Sequence, residues 1–152
     1  MSVGQSIVFV QTREEADRVA RTLTESGYEC SILHGALEPA LRDRTMEAFR
    51  NGESNVLITT NVLARGVDVD NVGLVVNYEI PLDVNRKPDT ETYLHRIGRT
   101  GRFGRKGTAI NLIDDAASIT ALAEIEKHYS PDKEMIQQVD ADPEELADKI
   151  QI

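Results

Sequence analysis

Short apolar runs alternate with amphipathic segments along almost the whole chain. The runs are rich in Val, Ile and Leu, which is typical of strands that are buried on both faces of a sheet. Between them, apolar residues recur at helical spacing, for example at Ala16, Val19 and Ala20. The pattern predicts strands at 6–10, 29–33, 55–59, 73–78 and 107–113, and helices after residue 12, at 38–50, at 92–99 and from 114 or 115 to 129.

The residues that flank these runs supply helix and turn signals. Thr12 and Glu15 have the spacing of a capping box, and Gly27 is expected to end the first helix. Near the C-terminus we expect an edge strand at 135–139 and a last helix capped by Asp142. Strands that alternate with helices predict an α/β fold, in which one domain over residues 1–152 forms a parallel sheet with helices on both faces.

The predicted sheet indicates where a ligand would bind. In open parallel sheets, ligands bind at the carboxyl ends of the strands. Thr12 follows the first predicted strand, His34 and Gly35 follow the second, and Thr60 follows the third. All four residues are polar or small, so we expect a binding site at this edge.

Composition limits the classes of function. The chain has 40% hydrophobic and 28% charged residues, with a net charge of -9. A protein that coats nucleic acid through bulk charge is usually basic, so any contact with nucleic acid must be local. Cys30 is the only cysteine, which excludes an intramolecular disulfide and predicts a buried thiol. Without an apolar run of about 18 residues, we expect a soluble intracellular protein that does not insert into membranes.

One segment reverses the acidic character of the chain. From Arg96 to Lys106 there are five basic side chains and no acid. Arg96, Arg99 and Arg102 recur every third residue and are separated by glycines. Guanidinium groups fit phosphate oxygens and glycines allow close approach of the backbone, so the segment is interpreted as a site for an anion such as polyphosphate. The alternative is a solvated basic loop.

The usual catalytic arrangements are missing from the sequence. There is no Gly-x-x-x-x-Gly-Lys-Ser/Thr loop, no Gly-x-Ser-x-Gly elbow and no pair of histidines at metal-binding spacing. A hydrolytic triad and a metal site made by this chain alone are therefore not expected. The chain offers ligands for phosphate without a phosphate cradle, which is half of a site.

Four sequence motifs resemble those of the DEAD-box RNA helicases. His-Arg-Ile-Gly-Arg-Thr-Gly-Arg at 95–102 resembles motif VI, and Ala-Arg-Gly-Val-Asp at 64–68 resembles motif V. Residues 6–12 resemble motif IV, and His34-Gly35 followed by Arg42 resembles motif IVa. The resemblance implies a RecA-like fold and the second of two such domains, with the N-terminal ATP-binding domain absent from this chain.

The resemblance also implies roles at the nucleotide. Arg99 and Arg102 would be arginine fingers that reach the γ-phosphate of ATP across a cleft between the two domains. ATP with Mg²⁺ would be held mainly by the missing domain. Gly66 and Asp68 would contact the ribose side of the nucleotide. The fragment alone would not hydrolyse ATP, because half of the site is missing.

Further residues would bind RNA or support the domain interface. By resemblance, Arg65, His95 and Arg96 would organise the closed interface between the domains. Single-stranded or short duplex RNA would be bound through its phosphates and sugar hydroxyls, without reading of base sequence, by Thr12, Gly35, Arg42 and Thr60.

The chain departs from the wider family in two places. Pro39 stands where a Gln commonly opens the Gln-x-x-Arg motif, so only the Arg42 contact is carried over. The connection from Pro81 to Tyr93 is longer than most DEAD-box proteins have. With the sequence at 59–62, it resembles the mRNA-export subfamily. That resemblance implies a monomer at the cytoplasmic face of the nuclear pore, possible shuttling into the nucleus, and an activator protein that uses inositol hexakisphosphate.

Two other functions compete with this interpretation. The domain could be a docking module for a regulatory protein, with residues 82–91 and the acidic region 124–152 as its contact surfaces. It could also belong to a motor that acts on duplex DNA. The DNA motor is disfavoured because such relatives usually have Gln-x-x-Gly-Arg-x-x-Arg where this chain has His95 to Arg102.

Overall fold

The computed structural model describes residues 4–60, 69, 72–102 and 104–150. Strands and helices alternate along the chain for most of its length, as the apolar pattern predicts. In chain order the elements are β1 (Gln5–Val10), α1 (Arg13–Glu25), β2 (Cys30–Leu33), α2 (Pro39–Arg50), β3 (Val56–Thr60), β4 (Val72–Asn77), α3 (Thr90–Ile97), β5 (Thr108–Asn111), α4 (Ala116–Tyr129) and α5 (Pro143–Ile150).

The five strands form one parallel sheet in the order β2-β3-β1-β4-β5. β1 lies at its centre, where Val8 pairs with Ile58 of β3 and Val76 of β4. Because all strands run in the same direction, their carboxyl ends meet at one edge and their amino ends meet at the other. The predicted α/β class and parallel sheet are confirmed.

Alternate residues of the central strand pack against helices on opposite faces of the sheet. Ile7 and Phe9 of β1 belong to a buried cluster with Phe49 of α2. Val8 and Val10 belong to a second cluster with Ala16 of α1. This is the two-residue alternation of a strand, and it explains why the apolar run is continuous rather than alternating.

The predicted start of α1 is confirmed at its N-cap. Thr12 is extended, and its Oγ1 accepts a hydrogen bond from the backbone N–H of Glu15 at 3.2 Å. Gly27 follows the helix with φ of +91°, a conformation that glycine adopts without strain. Thr12 and Gly27 thus set where α1 begins after β1 and where it ends before β2.

The predicted strand at 135–139 is wrong. The structure has no strand over these residues, and the backbone N–H groups of Met135 and Ile136 donate instead to the Glu126 carboxylate of α4. A side chain therefore satisfies the donors that a neighbouring strand would have paired. The last helix is confirmed, because Asp142 Oδ1 accepts hydrogen bonds from the backbone N–H groups of Glu144 and Glu145. Across the described ranges, no helix is long and apolar enough to cross a membrane.

Candidate functional site

An open groove of about 510 Å³ lies at the carboxyl edge of the sheet. It is bordered by the residues that follow β1 and β2 and by the end of β3. Gly35 and Thr60 line it directly, and Thr12 lies between the lining residues Gln11 and Arg13. Two of the four predicted RNA-binding residues thus line one groove, and a third adjoins it in the chain. The full lining is Gln11, Arg13, Glu14, His34, Gly35, Ala36 and Thr60.

Two turns border the groove, and hydrogen bonds fix the conformation of each. The Thr12 hydroxyl accepts its capping bond and still has a proton to donate. At the second turn, His34 Nδ1 accepts the backbone N–H of Ala36 at 3.3 Å, and the His34 carbonyl accepts the N–H of Leu37 at 3.2 Å. These bonds fix the turn that carries Gly35. Arg13 and Glu14 are both in the lining, so the groove is not uniformly basic.

Arg42 lies just beyond this surface. Its backbone N–H donates to Glu38 in the first turn of α2, directly after the Gly35 turn. Its Nε atom is buried and has no hydrogen-bond partner within the part of the chain that the structure describes. Arg42 does not line the groove, so the structure leaves the fourth predicted RNA-binding residue beside the site rather than in it.

The arginine-rich segment begins in α3 and reaches the opposite edge of the sheet at Thr100. Thr100 Oγ1 donates to the carbonyl oxygen of Val72, the first residue of β4, at 2.9 Å. This bond anchors the segment at the amino end of β4, away from the groove. The rule that ligands collect at carboxyl ends therefore points to the groove and does not predict the position of the arginine-rich segment.

Close backbone approach makes the segment compact. A Cβ atom added to Gly107 would lie 2.1 Å from Thr100 Oγ1 and 2.3 Å from the nitrogen of Gly101. Only glycine fits there, and Gly101 itself has φ of +70°. From the sequence, these glycines are expected to allow close approach of the backbone to an anion. The structure adds a packing role, because the chain folds back and brings Gly107 against Thr100 and Gly101.

The two predicted arginine fingers differ in their surroundings. Arg99 is half-buried, and its Nε donates to the carbonyl oxygen of His95 at 3.1 Å. Arg102 is exposed. Two neighbouring guanidinium groups in a segment without acids fit the phosphate oxygens of a nucleotide. The motif V residues Arg65, Gly66 and Asp68 lie outside the described residues, so their predicted roles at the ribose and at the interface stay predictions.

Among the described residues, Arg96 is the largest fully buried side chain, at 1% exposed. Its Nη1 donates to Asn77 Oδ1 at 3.1 Å and to the carbonyl oxygen of Glu79 at 2.8 Å. Its guanidinium carbon lies 5.1 Å from the centre of the Phe9 ring, within the range of a cation–π contact. Burial lowers the pKa of Arg96 to about 10, opposed by Glu79 and Asp89, so the group stays charged at neutral pH.

This burial changes the role predicted for Arg96. A side chain that is 1% exposed and enclosed by β1, β4 and α3 has almost no surface with which to contact a second domain. Any effect on a domain interface would be indirect, through the position of α3 and of Arg99 one turn later. His95, the other described residue of the predicted interdomain set, is half-exposed.

Glu79 joins the end of β4 to the start of α1. Its Oε2 accepts the backbone N–H of Gln11 at 2.6 Å. Burial raises the pKa of Glu79, and nearby Glu15 adds to the increase, whereas the Gln11 bond, Arg96 and Arg18 lower it. The charges that face this carboxylate therefore come from α1 and α3. The rise in pKa caused by burial and Glu15 exceeds the fall caused by the Gln11 bond and the two cations.

The chain also matches a known family. The model of the helicase conserved C-terminal domain covers residues 1–104, which includes β1, the groove and the segment with Arg99 and Arg102. The chain belongs to this family.

The relatives of this helicase domain include ATP-dependent RNA helicase DBP5 of Mycosarcoma maydis, which is 55% identical over 127 residues, 84% of this chain and 28% of that protein. S. cerevisiae Dbp5 bound to RNA and ADP BeF3 has a TM-score of 0.90 at 47% identity, over 99% of this chain and 38% of that chain. A variant of S. cerevisiae Dbp5 bound to a Gle1 variant and IP6 has a TM-score of 0.92 at 47% identity, over 99% and 39%. The helicase domain spans about a third of the length of the curated relatives it matches. The predicted RecA-like fold and the resemblance to the DEAD-box helicases are confirmed.

The raised pKa of Glu79 predicts how the stability of the helicase domain depends on pH. The folded protein binds this proton more tightly than the unfolded chain does. The contribution of Glu79 to stability is therefore fully present below the ordinary glutamate pKa and is lost as pH rises through the raised value. We expect Glu79→Gln to flatten the pH profile in this window and to be at least as stable as the parent at pH 7. Urea denaturation at several pH values measures this, with exposed Glu53→Gln as the control. A parent profile retained by Glu79→Gln would contradict the prediction.

Proposed function

We propose that this chain is the C-terminal RecA-like domain of an ATP-dependent RNA helicase that remodels RNA or ribonucleoprotein in mRNA export. The observation that carries the proposal is the separation of two incomplete sites at opposite edges of one sheet. The groove at the carboxyl edge offers backbone-binding donors, and the segment with Arg99 and Arg102 offers phosphate ligands without a cradle. The similarity to S. cerevisiae Dbp5 bound to RNA and ADP BeF3 supports this assignment.

At the nucleotide, Arg99 and Arg102 would complete a site built mainly by another domain. ATP with Mg²⁺, held by an N-terminal RecA-like domain, supplies the phosphoryl group that is transferred to water. The guanidinium groups would lie against the γ-phosphate, where two forked cations stabilise the charge that spreads over its oxygens. The Nε bond from Arg99 to His95 restricts the rotamers of one finger before the domains close.

At the RNA, the groove would hold the phosphate backbone rather than the bases. Thr12, Gly35 and Thr60 present small or hydroxyl-bearing surfaces, which suit phosphate oxygens and sugar hydroxyls. Arg42 would add a cation at the rim. A few positioned donors allow a domain of net charge -9 to bind RNA, and added salt should weaken this binding.

A docking role for the same domain is favoured by one exposed loop. Asp83 Oδ1 accepts the backbone N–H groups of Asn85 and Lys87, at 2.8 and 2.9 Å, and Leu82 pairs with Pro88. This ordered loop carries Val84, which is 98% exposed. We propose it as a contact for an activator protein that uses inositol hexakisphosphate, by analogy with the Dbp5 variant bound to a Gle1 variant and IP6. The protein would then act as a monomer at the cytoplasmic face of the nuclear pore and shuttle into the nucleus.

Joining the two halves of the enzyme tests the proposed function. The 152-residue chain alone is expected to show no ATP hydrolysis above background, because it lacks a phosphate cradle. Joined to the N-terminal RecA-like domain of its own protein, it should hydrolyse ATP at about 1 s⁻¹ or faster with saturating RNA and far more slowly without it. Release of inorganic phosphate measures both rates. Hydrolysis by the chain alone, or a joined protein that ignores RNA, would contradict the proposal.

A further inference from the structure

We propose that Glu79 is a positioning residue that fixes the RNA groove relative to the arginine-bearing helix, which is α3 with Arg96 and leads to Arg99. The inference rests on the proposed function, because it assigns a residue outside the four helicase motifs to the same groove. Glu79 follows β4 by two residues and lies between the elements that carry the two sites.

The side chain of Glu79 fixes the first residue of the groove. β1 ends at Val10, so the N–H of Gln11 is the first backbone donor beyond its pairing with β3 and β4. Glu79 Oε2 accepts that N–H at 2.6 Å. Gln11 lines the groove and directly precedes Thr12, so this bond sets where the Thr12 hydroxyl lies.

The backbone of Glu79 fixes α3. Its carbonyl oxygen accepts Arg96 Nη1 at 2.8 Å. Arg96 precedes Arg99 by three residues, and the Nε of Arg99 donates to the carbonyl oxygen of His95 in the same turn. One residue therefore bonds to the groove through its carboxylate and to the arginine-bearing helix through its carbonyl.

The two bonds can be separated by mutation. Glu79→Ala removes the acceptor for Gln11 but keeps the carbonyl that binds Arg96. Glu79→Gln keeps an oxygen acceptor of the same reach, and its added NH₂ group can be hydrated because the residue is half-exposed. Alanine should therefore release the groove alone, and glutamine should restore it.

The facing charges decide how the bond responds to pH. Glu15 and Arg18 approach the carboxylate from α1, and Arg96 approaches it from α3, with Asp89 acting on Arg96 from the start of that helix. Among the residues that the structure describes, the Gln11 N–H donates to the Glu79 carboxylate, so the resonance of that amide should report the protonation of Glu79. A residue that merely filled space would not produce this signal.

The first measurement is nuclear magnetic resonance of the 152-residue chain between pH 4 and pH 8. We expect the Gln11 amide proton to titrate in the parent and to stay constant in Glu79→Gln. A Gln11 resonance that does not titrate in the parent overturns the inference. Glu53→Ala, a carboxylate removed from an exposed position, serves as the matched control and should leave the Gln11 titration intact.

The second measurement is the affinity of the joined two-domain protein for a ten-nucleotide oligouridine, with a non-hydrolysable ATP analogue present. We expect Glu79→Ala to bind about three- to tenfold more weakly than the parent, which is the effect of one lost hydrogen bond, and Glu79→Gln to restore binding. Equal affinity of Glu79→Ala and the parent overturns the inference alone. A parent protein that binds no RNA instead overturns the proposed function, and the role of Glu79 at the groove falls with it.

Discussion

Alanine at Arg99 is expected to lower RNA-stimulated ATP hydrolysis by the joined two-domain protein about a thousandfold or more, the usual effect of removing an arginine finger. The physical reason is that the N-terminal domain would still bind ATP but would lose a cation at the γ-phosphate where charge develops. RNA binding should be largely retained, because the groove lies at the opposite edge of the sheet. Arg102→Ala should behave in the same way. Phosphate release and oligouridine affinity, measured on the same preparations, check both expectations.

Two further variants make the arginine test specific. Lys106→Ala removes an exposed cation from the same basic segment and should change the rate of hydrolysis by less than about threefold. It alters only the long-range electrostatic potential at the nucleotide, which salt screens. Arg99→Lys keeps the charge but loses the planar fork, so it should recover little of the rate. Hydrolysis at the parental rate in Arg99→Ala would rule out the finger assignment.

The local architecture could be predicted because its causes are local. Thr12 caps α1 with the residue three positions later, and Asp142 does the same for α5. The continuous apolar run of β1 predicts a strand covered on both faces, and helices cover both faces. The failed strand at 135–139 had only a weak pattern, because Met135, Ile136 and Val139 neither alternate with polar residues nor form a continuous apolar run. What decided its conformation was Glu126, a side chain about ten residues earlier whose approach no pattern within the segment reveals.

The sequence could predict which residues belong to each candidate site but not where their side chains lie in the fold. The strand-end rule grouped Thr12, Gly35 and Thr60 because parallel strands align their ends, and the structure places Gly35 and Thr60 in one groove. It could not place Arg99, since the chain passes from Arg96, which bonds residues at the carboxyl end of β4, to Thr100 at the amino end of β4. Spacing alone grouped Arg96 with Arg99 and Arg102, yet Arg96 turns inward. Its partners Phe9 and Asn77 lie far away in sequence.

This difference between Arg96 and its neighbours leads to the largest stability effect that we predict. Arg96→Ala would leave the buried oxygens of Asn77 and Glu79 without this donor and would open a cavity over Phe9. The variant no longer has to desolvate the Arg96 charge on folding, and this offsets part of the lost stability. The net expected decrease in the free energy of unfolding is about 3 kcal/mol at pH 7. Urea denaturation followed by circular dichroism measures this decrease.

The control for Arg96→Ala is Arg21→Ala, which removes an exposed arginine from α1 and should change stability by no more than about 0.5 kcal/mol. Arg96→Lys keeps a buried cation but not the planar group that stacks on Phe9, so its stability should fall between the two. A loss below about 1 kcal/mol in Arg96→Ala would mean that the hydrogen bonds only balance the desolvation cost. The burial of Arg96 would then have to be explained by its effect on Arg99, and hydrolysis should fall in this variant even though the fold remains stable.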